Sequence, residues 1–180
     1  MRQISSLSRY WMVPAILIAC FVTLGSCAGS KRDVDVRKVF GSEEAMGPVG
    51  NPWKVEAYRV DPKQNRVKPG VNHIGGFATV VGPIEVGRHS GPELSQLFRA
   101  KSSYKWRDVA PECEFKPTIA IRFIDKNKAR TDLLLAFECN EMAVYHQGFR
   151  VGTGYFDGSR AKIIEIVKLL FPNDGYVRKL

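Results

Sequence analysis

The side chains best suited to chemistry lie in the second half of the chain, where Cys113 and Cys139 occur with His89 and His146. A thiolate needs a neighbouring base, so Cys139 with either histidine could form a thiol enzyme. Cys139, Glu141 and His146 could instead ligate a metal ion. The chain has no paired spacing such as C-x-x-C and no catalytic signature around either cysteine. We therefore expect a binding or structural domain without catalytic residues, metal or cofactor, and keep a small hydrolase or thiol enzyme as the alternative.

The same two cysteines fit a disulfide. Residues 119–123 and 133–137 alternate in hydrophobicity on either side of a polar turn, which predicts a β-hairpin. Folding this hairpin about residues 126 and 127 brings Cys113 opposite position 139 or 140, and both cysteines share the odd numbering of the core-facing residues. In an oxidising compartment we expect a Cys113–Cys139 bond, which closes a loop of about 25 residues and contributes on the order of 3 kcal/mol. Two buried thiols are the alternative.

Basic and aromatic residues alternate in one short segment made of Lys101, Tyr104, Lys105, Trp106 and Arg107. Such a segment predicts a contact surface for anionic lipid or a polyanionic glycan, because each Lys or Arg near an anionic membrane contributes about 1 kcal/mol. The alternative is a solvated loop whose aromatic side chains cover the core.

Glycines at 152, 154 and 158 follow the predicted strand Met142–His146. Gly152-Thr153-Gly154 could form a phosphate cradle ahead of a helix. It lacks the spacing of G-x-G-x-x-G and follows no parallel βαβ unit, so we expect a flexible connection over residues 148–158.

The first 26 residues have the pattern of a secretory signal. Met1–Arg9 is polar with two arginines and no acid, and Tyr10–Leu24 is apolar apart from Pro14 and Thr23. An apolar stretch of this length is short for a membrane span, which needs roughly 20 residues. A retained signal-anchor is therefore the weaker alternative.

The end of this leader, Leu24-Gly25-Ser26-Cys27, resembles the lipobox of bacterial lipoproteins. The resemblance implies cleavage before Cys27, lipid on its sulfur and a membrane partner through that anchor. Leu17-Ile18-Ala19-Cys20 also fits the pattern. We favour Cys27, because small and basic residues follow it while an apolar stub follows Cys20. Ordinary cleavage near Ala28 is the other alternative.

Ala28, directly after the cysteine, resembles the form sorted to the outer membrane. We therefore expect a protein of the cell envelope, lipid-anchored on the periplasmic side of the outer membrane, with an anionic envelope polymer or another envelope protein as partner and no nucleic acid. Removal of Arg2 and Arg9 leaves 25 Lys and Arg against 18 Asp and Glu, a net charge of +7. That excess favours anionic surfaces.

The composition, 44% hydrophobic and 25% charged, fits one compact domain with extensions. Residues 27–52 are rich in glycine and proline and predict a lipidated tether, so the domain is expected over residues 53–180. Within it the pattern predicts five strands and two helices, at about residues 91–102 and behind Ser159. This order indicates an α+β fold, an antiparallel sheet of about five strands with two helices packed on one face. The segment Leu133–Cys139 is vaguely similar to uncharacterised bacterial proteins, which implies no function.

Overall fold

The computed structural model describes residues 35–63, 70–107 and 112–180. The leader and both candidate lipidation sites, Cys20 and Cys27, lie outside the described residues. The described residues belong to one compact unit, Arg32–Leu180. None of the helices described is long and apolar enough to cross a membrane.

The centre of the domain is a seven-stranded sheet in which every neighbouring pair of strands is antiparallel, in the order β2-β3-β1-β4-β5-β6-β7. The predicted hairpin is confirmed, with Ile121 paired to Leu133. The antiparallel α+β class is confirmed, although the predicted number of strands is too low. The strands are β1 Lys54–Val60, β2 His73–Ile74, β3 Phe77–Glu85, β4 Ile119–Ile124, β5 Arg130–Ala136, β6 Glu141–His146 and β7 Phe149–Tyr155.

Four α-helices contribute to one core on one face of this sheet, where two were predicted. The core joins the odd-numbered residues of β4 and β5 to apolar side chains of every α-helix. The two predicted helices are confirmed, and the first of them begins at Ser90. The helices are α1 Val36–Phe40, α2 Glu43–Gly50, α3 Ser90–Arg99 and α4 Arg160–Leu170, with 3₁₀ turns at Lys101–Ser103 and Val177–Lys179.

The tether prediction is wrong for residues 36–50, because α1 and α2 belong to the folded core. The side chains of Asp35 and Ser42 accept hydrogen bonds from the first turns of α1 and α2 and so cap them. Val39, Phe40 and Val49 are buried against the sheet. A helix with a narrow apolar stripe between glycines has the composition of a linker. The hydrophobic pattern of residues 36–50 therefore did not predict helices.

The predicted loop over residues 148–158 is also wrong for most of its length, because Phe149–Tyr155 forms β7. A side chain on Gly152 would overlap the carbonyl oxygen of Val39, and one on Gly154 would come within 2.7 Å of Val39 Cγ1. The glycines therefore allow α1 to pack directly on the backbone of β7. They are packing residues rather than a phosphate cradle.

The opposite face of the sheet is curled over a smaller core of Tyr58, Val60, Ile74, Ala120 and Leu134. Gly75, in the turn between β2 and β3, lies so close to the ring of Tyr145 on β6 that a Cβ there would be 2.8 Å from it. The β2–β3 hairpin thus reaches across the sheet to the far strands. This curvature encloses the polar side chains on that face.

Charged side chains on this enclosed face are paired with neighbours across and along the strands. Arg122 makes two hydrogen bonds to Asp132, of 2.6 and 3.0 Å. Next to them, the Tyr58 hydroxyl donates to Glu56 at 2.6 Å, and Lys54 pairs with the same carboxylate at 2.8 Å. Pairing of this kind offsets the cost of removing charge from water.

The predicted disulfide between Cys113 and Cys139 is confirmed, with Cα atoms 5.9 Å apart. That separation lies in the usual range for a disulfide. Cys139 is buried in the turn between β5 and β6, and Cys113 comes from the segment that leads into β4. The bond fixes that incoming segment to the end of the central hairpin.

Candidate binding site

The residues considered for thiol chemistry do not form a catalytic group. Cys139 is bonded to Cys113 and offers no thiolate while that bond is intact. His146 is the last residue of β6, and the six residues of that strand, at about 3.4 Å each, place it roughly 20 Å from Cys139. This distance also contradicts a metal site formed by Cys139, Glu141 and His146. The described residues contain no group of three or more His, Cys, Asp or Glu that could hold a metal ion.

The two histidines have different surroundings. His89 is exposed immediately before α3. His146 Nδ1 lies 3.1 Å from the hydroxyl of Thr131, which donates its proton to the carbonyl oxygen of Ala45 at 2.7 Å. The Thr131 hydroxyl must therefore accept from His146, because it has one proton to give. This arrangement holds α2 against β5 and does not activate Thr131 as a nucleophile.

The predicted contact segment divides into a buried and an exposed part. Tyr104 is 5% exposed and its hydroxyl donates to the carbonyl oxygen of Phe98 at 2.6 Å, so it belongs to the core. Burial raises the pKa of Tyr104. Lys101 and Lys105 are exposed, and Trp106 is 55% exposed. Tyr104 thus covers the core, as the alternative interpretation predicted, while Trp106 faces solvent and the contact surface stays a prediction.

The exposed part of the segment forms one wall of a cavity of about 280 Å³, which we call the α1–β7 pocket. Its other walls are α1 and the end of β7, and the backbone N–H of Lys105 donates to the carbonyl oxygen of Tyr155 at 3.0 Å, joining two of the walls. Its lining residues are Asp35, Lys38, Val39, Tyr104, Lys105, Trp106, Arg107, Thr153, Gly154 and Tyr155. The pocket therefore combines an aromatic and aliphatic lining with three cations.

Arg107 is held in a fixed orientation at this pocket. Its Nη2 donates to Asp157 Oδ1 at 2.7 Å, and its guanidinium lies 4.7 Å from the centre of the Tyr155 ring. Asn140 Nδ2 donates to the same oxygen of Asp157 at 3.0 Å. Burial, followed by the negative charge of Glu141, raises the pKa of Tyr155, although Arg107 opposes the shift. Arg107 is therefore organised before any ligand binds, which reduces the entropy lost on binding.

The other two cations of the pocket have no acidic partner. Lys38 and Lys105 make no ion pair with any described residue. Asp35 is the one acid of the lining, and its carboxylate accepts from the backbone N–H of Arg37. The rim of the pocket consequently has an excess of positive charge.

No family model, curated protein or solved structure matches this chain. The geometry and charge of the pocket are therefore what indicate a binding site. A pocket with an apolar lining and a few polar groups is the usual form of a ligand site.

Sequence reasoning found one wall of the pocket and missed the other two. Lys105, Trp106 and Arg107 are neighbours in the chain, so their alternation was visible. Lys38 was missed because α1 was interpreted as tether. Tyr155 was missed because β7 was interpreted as a loop, although its position among glycines indicates a site of close approach.

Proposed function

We propose that this chain is a lipid-anchored protein of the cell envelope whose domain binds an anionic partner at the α1–β7 pocket. The single observation that carries the binding proposal is the set of cations there, with Lys38 and Lys105 unpaired within the described ranges and Arg107 fixed by Asp157. The anchor proposal comes from the leader and from Cys27, whose surroundings resemble a lipobox. Localisation on the periplasmic side of the outer membrane belongs to the same proposal.

The disulfide supports a binding protein over a thiol enzyme. A structural disulfide at Cys139 removes the nucleophile that the enzyme hypothesis required. Disulfides persist in exported proteins and are rare in reducing compartments, so the bond also agrees with export.

The anchor is tested by mass spectrometry of the N-terminal peptide from cells that express the full chain. We expect a diacylglyceryl group on Cys27, and we expect Cys27→Ala to lose it while Cys20→Ala keeps it. An unmodified Cys27 thiol, or a leader that is never cleaved, would contradict the anchor.

The anionic partner is tested with the mature protein in detergent and heparin as a soluble polyanion. Replacing two cations of the pocket, Lys38→Glu with Lys105→Glu, should weaken binding at low salt by at least about tenfold, because each cation near an anionic surface contributes about a fivefold factor. The matched control is Lys126→Glu with Lys168→Glu, which makes the same change in net charge at two exposed positions elsewhere. Equal weakening by both double variants would show that net charge, rather than the pocket, determines binding.

A further inference from the structure

The folded core begins very close to the proposed lipid anchor. Only seven residues separate Cys27 from Asp35, the residue that caps α1. By covalent geometry alone, a segment of this length can span at most about 29 Å. A domain of about 150 residues has a diameter of about 40 Å. A tether shorter than the domain limits which side of the domain can face the membrane.

The described chain begins at the α1–β7 pocket. Asp35, where the described chain begins, is itself part of the pocket lining, together with Lys38 and Val39 of α1. Trp106 and Lys105 line the same cavity and are exposed. The point at which the chain would leave for its anchor is therefore next to the aromatic and cationic rim.

The composition of this rim matches a membrane interface. Tryptophan is enriched at the boundary between headgroups and acyl chains, and lysine and arginine near that boundary attract anionic lipid. The second exposed tryptophan, Trp53, is 68% exposed but lines a different depression with Pro52, Arg88 and Pro92. Trp53 does not share a pocket with α1, so it provides an internal comparison.

We propose that the rim of the α1–β7 pocket contacts the bilayer that holds the anchor, with Trp106 at the interface and Lys38, Lys105 and Arg107 among anionic phospholipid headgroups. This proposal rests on the proposed function and names its anionic partner as the membrane surface itself. The short tether and the charge of the rim act together. The tether keeps the rim near the bilayer, and the anionic headgroups then bind it.

The test uses the full chain, processed in cells, purified in detergent and reconstituted into vesicles whose lipids carry bromine atoms on the acyl chains. Loss of the leader removes Trp11, which leaves Trp53 and Trp106. The Trp53→Phe variant reports on Trp106 and the Trp106→Phe variant on Trp53. In phosphatidylcholine vesicles that contain phosphatidylglycerol, we expect quenching of Trp106 at least about twofold stronger than that of Trp53, since interfacial tryptophans lie near the bromine atoms.

Two further measurements separate orientation from anchoring. Omitting phosphatidylglycerol, or introducing Lys38→Glu with Lys105→Glu, should reduce quenching of Trp106, while Lys126→Glu with Lys168→Glu should leave it unchanged. Equal quenching of the two tryptophans in protein that floats with the vesicles would overturn the proposed orientation and leave the anchor intact. A chain that does not float and lacks the diacylglyceryl mass would contradict the anchor and, with it, the basis of this proposal.

Discussion

The cations of this domain include two kinds, those held by a buried acid and those without an acidic partner among the described residues. Three arginines donate to acids at 2.6 to 2.8 Å, Arg59 to Asp174, Arg107 to Asp157 and Arg122 to Asp132. Their carboxylates are mostly buried, so removing one partner would leave an uncompensated charge. Lys38 and Lys105 have no such role among the described residues. The paired arginines therefore stabilise the domain, Arg107 also lines the α1–β7 pocket, and the unpaired lysines remain for an external anion.

Glu56 connects one of these charge clusters to the pH dependence of stability. Burial raises the pKa of Glu56, but hydrogen bonds from Lys54 and Tyr58 and the charges of Lys54 and Arg122 outweigh it, and the net pKa is lowered. A lowered carboxyl pKa contributes stability above the pKa of the unfolded chain, and that contribution is lost as the pH falls through the folded value. Burial and the Glu56 carboxylate raise the pKa of Tyr58 to about 12, so Tyr58 stays neutral across this range.

We expect Glu56→Gln to lower the free energy of unfolding by about 1 kcal/mol at pH 7, because glutamine keeps an acceptor for Tyr58 but loses the charge that Lys54 and Arg122 stabilise. The difference from the wild type should shrink as the pH falls below the ordinary glutamate pKa of about 4.3. Urea unfolding from pH 3 to pH 7 measures it. Glu112→Gln, at an exposed position, is the control and should show no pH-dependent difference. If Glu56→Gln lowered the free energy of unfolding by the same amount at every pH, the titration of Glu56 would not contribute to the pH dependence of stability.

At the scale of elements, the predictable part of the fold is the part with strong periodicity. Strands β4 and β5 carry large apolar residues at every second position, and α4 has isoleucines at helical spacing, so all three were found from the sequence. Helix α1 and strand β7 were missed together for one physical reason. The two elements pack on each other, because the glycines of β7 make room for α1 and α1 buries Val39 there. Local pattern cannot show a contact between segments more than 100 residues apart.

The α1–β7 contact predicts opposite effects for two glycine substitutions. Gly152→Ala would drive a methyl group into the backbone of Val39, and we expect a loss of about 2 kcal/mol, as for other overpacked sites. Gly47→Ala, within α2, meets nothing within 4 Å and should raise stability by about 0.5 to 1 kcal/mol, because alanine favours the helix. Thermal or urea unfolding of both variants tests the pair. A neutral Gly152→Ala variant would show that α1 does not pack on β7.

The pocket depends on this same contact, which connects the elements to the function proposed. Lys38 comes from α1, Tyr155 from β7 and Trp106 from the segment between α3 and β4. Only the last of the three was visible as a binding segment in the sequence. The basic and aromatic character of the candidate site was therefore predictable from the sequence. The shape of the pocket was not, because it depends on how α1 packs.

At the scale of the molecule, α1 and α2 decide where the domain begins and how far it can lie from an anchor. The sequence predicted a domain from Trp53 and a tether of about 25 residues, whereas the core includes Val36, Phe40 and Val49. Seven residues between Cys27 and Asp35 allow a span of at most about 29 Å, even fully extended. The proposed anchor would thus hold the domain close to the membrane surface.

The domain boundary gives a final prediction, for chains that begin at different residues. A chain that starts at Trp53 loses five buried apolar side chains, Val36, Val39, Phe40, Ala45 and Val49. At about 1.5 to 3 kcal/mol for each valine or phenylalanine, the loss is on the order of 6 to 12 kcal/mol. The whole stability of a domain is about 5 to 15 kcal/mol, so we expect this chain not to fold.

The deletion also leaves buried donors without acceptors, because the hydroxyls of Thr131 and Ser95 donate to the carbonyl oxygens of Ala45 and Val49. A chain that starts at Asp35 keeps both contacts and should unfold at the same urea concentration as the mature protein. Near-ultraviolet circular dichroism and urea unfolding of the two chains measure the difference. If the chain from Trp53 were as stable as the chain from Asp35, then α1 and α2 would lie outside the core. The tether would then be three times as long, and the membrane would no longer be confined to the pocket side of the domain.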